Sequence, residues 1–333
     1  MAKRVDNSMT SFRKRIKRKS KNNLNNIPKT VNIFVAATMS AGKSSLINAL
    51  LGSDLLWSAN EAATASITRI HHSKTIKNST AGACFDWNGN CREWRDNIDN
   101  ILLHQWNAHP EVKHIELSHY ISRFASSAFK PIIYDTPGAN NSQDPNHAIL
   151  FNEALNECQN GMIIYVLNAT QLGTKDDAYL LSEIKSHLGS HPAKKIIFVL
   201  NKIDEIDEEK DESIQNTVNS AQQYLEKLGF SKPVIIPSMM HAALIAQKIL
   251  ANASITRLQR SYLKNELIRF RHNKHLLNNA ARIPNQISGM LNKIMGAYTP
   301  NLNNNDEFCQ QELIQFINYS GLTALELYLK HYL

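Results

Sequence analysis

The sequence predicts an α/β protein with a mostly parallel, doubly wound sheet. Five short apolar runs, rich in β-branched residues, indicate buried strands at residues 31–35, 131–134, 162–167, 195–200 and 233–236. Segments with helical periodicity lie between several of them, such as Ala148 to Cys158 and Leu180 to Leu188. Strands that alternate with helices form parallel sheets that helices cover. Ligands of such sheets bind beyond the carboxyl ends of the strands, so the loops after these runs are the candidate functional segments.

The first strand is followed by a turn with the residues of a phosphate-binding loop. Residues 37–44, ATMSAGKS, connect this strand to a segment with helical periodicity. In such a turn, backbone N–H groups and the positive end of the helix dipole surround a phosphate. Gly42 lets the backbone come close, Lys43 reaches the β- and γ-phosphates, and the Ser44 hydroxyl can ligate Mg²⁺. The first glycine of the usual pattern is Ala37 here, and a strand-turn-helix that matches by chance is the alternative.

Two further segments carry groups that can act on a γ-phosphate and its metal ion. Asp135 follows the run 131–134 and can hold Mg²⁺ through water, while the Gly138 N–H can contact the γ-phosphate. The small, polar segment after the first helix contains Thr64 and Thr68. In nucleotide switches such a threonine contacts Mg²⁺ while the γ-phosphate is present, and we favour Thr64. An ordinary loop or strand threonine is the alternative.

The loop after the run 195–200 is suited to the recognition of guanine. Asp204 can accept two hydrogen bonds, from the ring N–H and the exocyclic amine of guanine, and adenine does not offer this pair. The aliphatic stem of Lys202 can cover the base, and Asn201 can tie this loop to the phosphate loop. A backbone N–H at Ser238, after the last apolar run, can meet guanine O6. Three signals in this order, each at a strand end, predict a guanine-nucleotide site.

These motifs resemble those of the dynamin superfamily of GTPases, in particular the bacterial dynamin-like proteins. The similar segments are SAGKSSLINALLG, TASIT, DTPGANN and YVLNATQL, at residues 40–52, 64–68, 135–141 and 165–172. The resemblance covers roughly residues 31–245. The separation of 92 residues between Lys43 and Asp135 suits the enlarged dynamin-type domain. The resemblance implies the GTPase type of P-loop NTPase fold, enlarged by a polar insertion at residues 74–130 and flanked by C-terminal helices.

The resemblance also implies a protein that binds GTP and GDP with Mg²⁺ and hydrolyses GTP, often as a nucleotide-dependent homodimer and often in membrane remodelling. The implied nucleotide-binding residues are Met39, Ser40, Ala41, Gly42, Lys43, Ser44, Ser45, Asp135, Gly138, Asn201, Lys202, Asp204 and Ser238. The implied metal ligands are Ser44, Thr64 and Asp135, and the implied catalytic residues are Ser40, Lys43 and Thr64.

One position departs from the pattern of the superfamily. Members such as dynamin carry Gln, which helps to orient the attacking water, where this chain has Met39. A thioether is a poor hydrogen-bond acceptor and no donor. Met39 therefore favours a first alternative, a slowly hydrolysing switch gated by GTP. A basic N-terminal segment favours a second alternative, an RNA- or ribosome-associated GTPase.

The positive charge of the chain is concentrated at its N-terminus. The net charge is +8, but residues 1–30 carry ten Lys and Arg against one Asp, so the remainder is close to neutral. We expect residues 1–28 to be a basic, disordered arm that an acidic membrane surface can attract, with nucleic acid the less favoured partner. The sequence has no apolar run that could span a membrane and no signal-peptide pattern, which indicates a cytoplasmic protein or one at the inner face of the membrane.

We expect a dynamin-type GTPase domain at residues 29–245 and a partial helical bundle, packed on it, at residues 246–333. The helical patterns of the second part are 242–249, 257–277, 287–295 and 312–333. Within the insertion, the sequence predicts a turn at 85–90, a helix from Trp94 to Trp106 and a pair of strands within 112–121. The resemblance implies that the C-terminal helices transmit the nucleotide state, and simple packing against the sheet is the alternative.

Overall fold

A mixed sheet of nine strands is the centre of the described structure. The computed structural model describes residues 29–57, 66–76, 79–136, 145–157, 161–189, 196–207, 213–296 and 307–333. Within these ranges the strands are β1 (Lys29–Ala37), β2 (Ile67–His72), β3 (Ala81–Phe85), β4 (Cys91–Arg95), β5 (His114–His119), β6 (Phe129–Asp135), β7 (Met162–Asn168), β8 (Ile196–Asn201) and β9 (Ile235–Pro237). Their order across the sheet is β4-β3-β5-β2-β6-β1-β7-β8-β9.

The five strands that the apolar runs predict form the parallel half of this sheet. Strands β6, β1, β7, β8 and β9 lie side by side in this order, and each pair of neighbours is parallel. Every residue of β7 and β8 is buried, which explains why their sequences are almost continuously apolar and do not alternate. The other half is mixed, because β2 pairs with β6 in the antiparallel sense. The predicted α/β fold with a mostly parallel sheet is confirmed.

Helices follow most of the strands and pack on the sheet. The first group comprises α1 (Lys43–Leu51), α2 (Asn100–Ala108), α3 (Pro145–Glu157), α4 (Lys175–Leu188), α5 (Ile214–Lys227) and α6 (Met240–Leu250). The second group comprises α7 (Arg257–His272), α8 (Leu276–Ala280), α9 (Asn285–Gly296), α10 (Gln310–Tyr319) and α11 (Leu322–Tyr332). Among the described residues, no helix combines the length and the apolar character needed to traverse a lipid bilayer.

Two long helical patterns of the C-terminal part are each divided in the structure. The pattern 257–277 is interrupted at Asn273, which ends α7 in a non-helical conformation. The pattern 312–333 is interrupted at Ser320 and Gly321, and Gly321 has φ 87°. A left-handed backbone of this kind favours glycine and redirects the chain between two helices.

The polar insertion extends the sheet beyond β2. Strands β3 and β4 form a hairpin, and the Asn90 N–H at its turn donates to the Asp86 carboxylate at 2.8 Å. Strand β5 pairs with β2 in parallel and with β3 in the antiparallel sense. The β3–β4 hairpin confirms the turn that the sequence predicts at residues 85–90. Strand β4 is the outermost strand of the sheet and carries the charged residues Arg92, Glu93 and Arg95.

The structure corrects two expectations within the insertion. The segment 112–121 holds one strand, β5, and not a pair, and a short 3-10 helix follows it at Ser122–Phe124. Trp94 lies in β4, opposite Ala83 of β3, and does not begin a helix. Aromatic residues are common in strands, so the residue type fits this place as well. Helix α2 begins after Asp99, whose carboxylate accepts a hydrogen bond from the Leu102 N–H at 2.8 Å.

The C-terminal helices share one core with the sheet. Helix α6 contacts α1, α7 and α10, and α11 also contacts α1. Phe270 of α7 and Phe316 of α10 are fully buried, with 5.9 Å between their ring centroids. At the end of the sheet, Ile235 of β9 exchanges two backbone hydrogen bonds with Arg282. The helices therefore cover α1 and the β9 edge, next to the strand ends that carry the predicted site.

Candidate functional site

The strand order brings the predicted loops together. Because Val35 of β1 pairs with Asp135 of β6, the loop after β1 begins beside the Asp135 carboxylate. On its other side β1 pairs with β7, and the next strand is β8, which ends at Asn201. The phosphate loop, residues 37–44, therefore leaves the sheet between the Asp135 loop and the Asn201 loop.

The phosphate loop contains two residues with a left-handed backbone. Ser40 has φ 61°, and Gly42, the N-cap of α1, has φ 94°. A Cβ atom on Gly42 would lie 2.2 Å from Nδ2 of Asn201, so this position requires glycine. The Leu46 N–H donates to the Gly42 carbonyl at 3.0 Å and closes the first turn of α1. The earlier N–H groups of this helix have no intrahelical acceptor, which makes its N-terminus suitable for an anion.

Lys43 and Asp135 form an ion pair that joins α1 to β6. The Lys43 ammonium contacts Oδ1 of Asp135, which is 1% exposed. A buried carboxylate that stays charged requires a partner of this kind. The Asp135 carboxylate and the half-buried Ser44 hydroxyl are hard oxygen donors, the type that Mg²⁺ prefers, so the residues present fit this ion.

Asn201 connects three parts of the site. Its Nδ2 donates to the Ala41 carbonyl at 3.0 Å and so holds the phosphate loop. Its Oδ1 accepts hydrogen bonds from the Met240 N–H at 3.1 Å and from the Ser238 hydroxyl at 3.4 Å. The expected tie between the Asn201 loop and the phosphate loop is confirmed by these contacts.

Asp204 lies in a short 3-10 helix, Ile203–Glu205, that follows β8. Lys202 precedes it with φ 67°, and its ammonium pairs with the Glu205 carboxylate at 3.0 Å. The Asp204 side chain is half-buried, and this burial raises its pKa. Oδ2 of Asp204 accepts a hydrogen bond from the Tyr262 hydroxyl on α7. A carboxylate has about four acceptor positions, so two donors of a base can still be bound.

The structure differs from the expectation at Ser238. Its N–H donates to the Leu200 carbonyl at 2.8 Å, and the residue is fully buried. The physical reason is that β9 still pairs with β8 here, so the ladder uses the donor that was expected to meet guanine O6. The next N–H, of Met239, donates to the Ser320 carbonyl at 3.0 Å. Ser238 instead contributes its hydroxyl, which helps to hold Asn201.

The dynamin family model matches residues 33–203. This range is just over half of the chain and includes the phosphate loop, Asp135 and Asn201. The chain belongs to the dynamin family. Members of this family are GTPases, so the matched residues form a dynamin-family GTPase domain.

Solved structures that this dynamin-family chain resembles include an oligomerised bacterial dynamin pair. That pair is described as providing a mechanism for the long-range sensing and tethering of membranes. The identity is 20%, the TM-score is 0.50, and the match covers 84% of this chain and 44% of that one. A second structure of the pair is 21% identical with a TM-score of 0.48 and the same coverage. Era of Aquifex aeolicus, bound to GDP and AlF₄⁻, is 16% identical with a TM-score of 0.36, over 69% of this chain and 58% of that one.

The chain spans less than half the length of the bacterial dynamin structures. At 20% identity, the likeness to the first of them is one of fold alone. A search of curated proteins found no match. The family assignment therefore rests on the match at residues 33–203.

Sequence reasoning missed a buried carboxylate next to the phosphate loop of this dynamin-family domain. Asp177 of α4 is fully buried, and its Oδ1 accepts hydrogen bonds from the Thr38 hydroxyl at 3.2 Å and the Tyr165 hydroxyl at 2.7 Å. Its Oδ2 has no hydrogen-bond partner within the described ranges, and burial raises its pKa. One signal was available in the sequence, because a threonine three residues before an acid is a helix-start pattern. In the structure, the Thr174 hydroxyl accepts from the Asp177 N–H at 3.1 Å.

The remaining predicted site residues divide into two groups. Thr64 and Gly138 lie outside the described residues, and their roles stay predictions. Met39 is 67% exposed, and Ser40 is exposed as well. Ser45 is half-buried in the first turn of α1. Among the predicted site residues that the structure describes, side-chain contacts are made by Lys43, Asp135, Asn201, Lys202, Asp204 and Ser238. Met39 and Ser40, in the phosphate loop, are instead exposed.

Proposed function

We propose that this dynamin-family chain binds GTP with Mg²⁺ and hydrolyses it to GDP and phosphate. The arrangement around the phosphate loop supports this most: Lys43 pairs with Asp135, and Asn201 holds the Ala41 carbonyl. A cation, a buried carboxylate and the loop with the base-recognition pattern thus lie close to one helix N-terminus. Phosphoryl transfer needs these parts in these relative positions.

In this proposal, Lys43 exchanges Asp135 for the β- and γ-phosphates of the nucleotide. The Lys43 side chain is only 12% exposed, so its charge acts in a poorly hydrated place, where it neutralises phosphate oxygens more strongly than in water. Asp135, released from this pair, and the Ser44 hydroxyl would then hold Mg²⁺, with Thr64 as the third proposed ligand. When bound, the ion neutralises the charge that develops on the β- and γ-phosphate oxygens.

Hydrolysis requires a water in line with the γ-phosphate and donors for the charge on its equatorial oxygens. We assign the donor role to Lys43, to Ser40 in its left-handed conformation and to the Gly138 N–H. Met39 cannot orient the water by a hydrogen bond. A backbone carbonyl or a group of a second copy therefore fills this role, and the exposed Met39 side is open to such a copy. If a second copy supplies this group, activity depends on homodimerisation.

The base is proposed to bind against the Asp204 loop. Asp204 would accept hydrogen bonds from the ring N–H and the amine of guanine, while the Lys202 stem covers one face. A site built around these two acceptors leaves a carboxylate poorly paired when adenine binds, and adenine is rejected for that reason.

Two wider proposals concern the whole chain. Residues 29–245 act as the GTPase domain and residues 246–333 as a partial helical bundle, with α6 running through the boundary and joining the two parts. The basic residues 1–28 attract an acidic membrane surface from the cytoplasmic side, a partner that the net charge of this segment supports. RNA is the alternative partner of the same segment.

The test combines binding and turnover. Calorimetry with Mg²⁺ should show heat with GTP and little with ATP. Lys43→Ala should abolish nucleotide binding, while Lys293→Ala, a surface change on α9, should not.

Turnover per molecule should rise with protein concentration if a second copy completes the site. A flat, near-zero rate with tight GTP binding would instead support the second candidate, a slow switch, which the thioether of Met39 favours. Equal affinity for ATP and GTP would refute the proposed function.

A substitution at Asp204 gives the test a gain of function. Asp204→Asn can donate to the carbonyl that xanthine carries in place of the guanine amine, so the preference should move from GTP to XTP. Asp96→Asn, an exposed carboxylate after β4, is the matched control and should leave the preference unchanged.

A further inference from the structure

Helix α7 lies against the loop that is proposed to recognise the base. The Tyr262 hydroxyl donates to Oδ2 of Asp204, although 58 positions of sequence separate the two residues. Seven residues later, two helical turns further along the same face, Nη1 of Arg269 donates to the Asp204 carbonyl at 3.1 Å. One helix therefore contacts both the side chain and the main chain of Asp204.

The Tyr262 ring is also held from the side of α6. The His241 ring lies 5.6 Å from it, centroid to centroid, at an angle of 37°. His241 is the second residue of α6, whose first N–H, from Met240, donates to Asn201. The phenol ring of Tyr262 thus contacts the helix that begins directly after Ser238 and that is itself joined to Asn201.

We propose that Tyr262 is a positioning residue for purine recognition, which orients the Asp204 carboxylate so that both of its oxygens face the two donors of guanine. The inference rests on the proposed role of Asp204 as the base-recognising residue. The torsion that rotates an Asp carboxylate is broad, so an unrestrained carboxylate samples many orientations. A hydroxyl that donates to Oδ2 uses one of about four acceptor positions and restricts this rotation.

The charge state of Asp204 depends on the same contact. Burial alone raises the pKa of Asp204, and the Tyr262 hydrogen bond opposes this rise by stabilising the ionised carboxylate. The ionised form is the one that accepts both hydrogen bonds from guanine. Tyr262 therefore favours the correct orientation and the correct ionisation of the residue that distinguishes the purines.

The experiment compares guanosine and inosine diphosphates, because inosine keeps the ring N–H and lacks the exocyclic amine. Diphosphates avoid turnover during the titration. In Tyr262→Phe, which removes only the hydroxyl, we expect GDP affinity to fall about tenfold, the usual size of one lost hydrogen bond to a charged group. IDP affinity should fall much less, because a rotated carboxylate can still accept one hydrogen bond. The ratio of GDP to IDP affinity should therefore decrease.

Two further variants frame this result. Tyr332→Phe on α11 removes the hydroxyl of an exposed tyrosine and should change neither affinity. Arg269→Gln loosens the main-chain contact and should lower the same ratio by a smaller factor. Thermal unfolding of each variant is measured alongside, because a merely structural role would lower stability and weaken both nucleotides equally.

The outcomes separate this inference from the proposed function. A wild-type protein without preference for GDP over IDP and ADP would refute the base-recognition role of Asp204 and remove the basis of the inference. A wild-type preference that Tyr262→Phe leaves unchanged would overturn the inference alone. Tighter GDP binding in Tyr262→Phe would also overturn it, because Tyr262 would then compete with the base.

Discussion

At the scale of single residues, Gly42 is constrained by two independent effects. Its backbone is left-handed, and a Cβ would lie 2.2 Å from Nδ2 of Asn201. We expect Gly42→Ala to displace Asn201, to lower the free energy of unfolding by about 2 kcal/mol and to abolish nucleotide binding. Gly52→Ala is the matched control, because Gly52 has φ 77° but its Cβ would meet nothing within 4 Å. Urea unfolding measures the loss of unfolding free energy in both variants. Equal losses would show that the left-handed backbone alone, and not the contact with Asn201, causes the effect.

Asp177 makes the stability of the protein depend on pH. Burial raises its pKa, so the native state holds a proton on this carboxyl more tightly than the unfolded chain does. Its contribution to the free energy of unfolding therefore falls as the pH rises from the unfolded pKa through the native pKa. Asp177→Asn removes this titration and keeps an Oδ1 acceptor for Thr38 and Tyr165.

We expect the free energy of unfolding of Asp177→Asn, minus that of the wild type, to increase from about pH 4 to pH 7. The lower limit is near the ordinary pKa of an aspartate, and the upper limit lies well above it. Urea unfolding at several pH values measures this difference. A constant difference for Asp177→Asn would show that its native pKa is not raised.

The positions of site residues were predictable where the determinants are local in sequence, while their roles stay predictions. Gly42, Lys43 and Asp135 belong to short motifs, and the tie from Asn201 followed from its place at a strand end. Tyr262 could not be predicted in this way, because its contact with Asp204 exists only after α7 has packed on the loop. The Ser238 N–H was assigned wrongly for a related reason: a motif does not show whether a sheet ladder already uses a donor.

At the scale of elements, the C-terminal end of α3 is fixed to the sheet by a charged cluster. Glu157, its last residue, accepts from Nη2 of Arg69 on β2 at 2.6 Å and from the Tyr134 hydroxyl on β6 at 3.1 Å. Arg69 also pairs with Glu116 on β5 at 3.0 Å, and its side chain is 15% exposed. This cluster joins α3, which follows the Asp135 loop, to the strand that follows the Thr64 segment.

We expect Arg69→Met to lower the free energy of unfolding by about 2 kcal/mol, because two carboxylates lose a largely buried partner. Arg92→Met, which removes the surface pair with Glu111, should change it by less than about 0.5 kcal/mol. Urea unfolding of both variants makes the comparison. A loss for Arg69→Met as small as that for Arg92→Met would show that the cluster does not hold α3.

Elements were predictable to the extent that burial leaves a simple pattern. Strands β7 and β8 are buried along their whole length, so their sequences are almost continuously apolar and were found. Strand β4 has the sequence CREWR at the edge of the sheet, where half-buried and exposed positions mix, and its tryptophan was attributed to a helix. The long C-terminal patterns were read as single helices because the breaks at Asn273 and Gly321 occupy only a few residues.

At the scale of the whole molecule, the shared core predicts that the described parts unfold together. All four tryptophans lie between residues 57 and 106, so their fluorescence reports on the insertion side, whereas circular dichroism reports on all helices. Phe316→Ala on α10 removes a fully buried ring and should lower the free energy of unfolding by about 3–5 kcal/mol, with both signals moving together. Ile314→Ala, 44% exposed on the same helix, should have a small effect. Separate transitions in the two signals would show that the C-terminal helices unfold independently.

The charges on the outermost strand have a consequence for the behaviour of concentrated solutions. An unpaired strand edge offers its backbone to any other extended chain and can seed fibrils. In β4, Arg92, Glu93 and Arg95 would have to lose hydration before a foreign strand could dock there. The proposed activity brings copies of the chain into contact at the phosphate loop. At the other end of the sheet, the charges of β4 oppose amyloid-like growth between those copies.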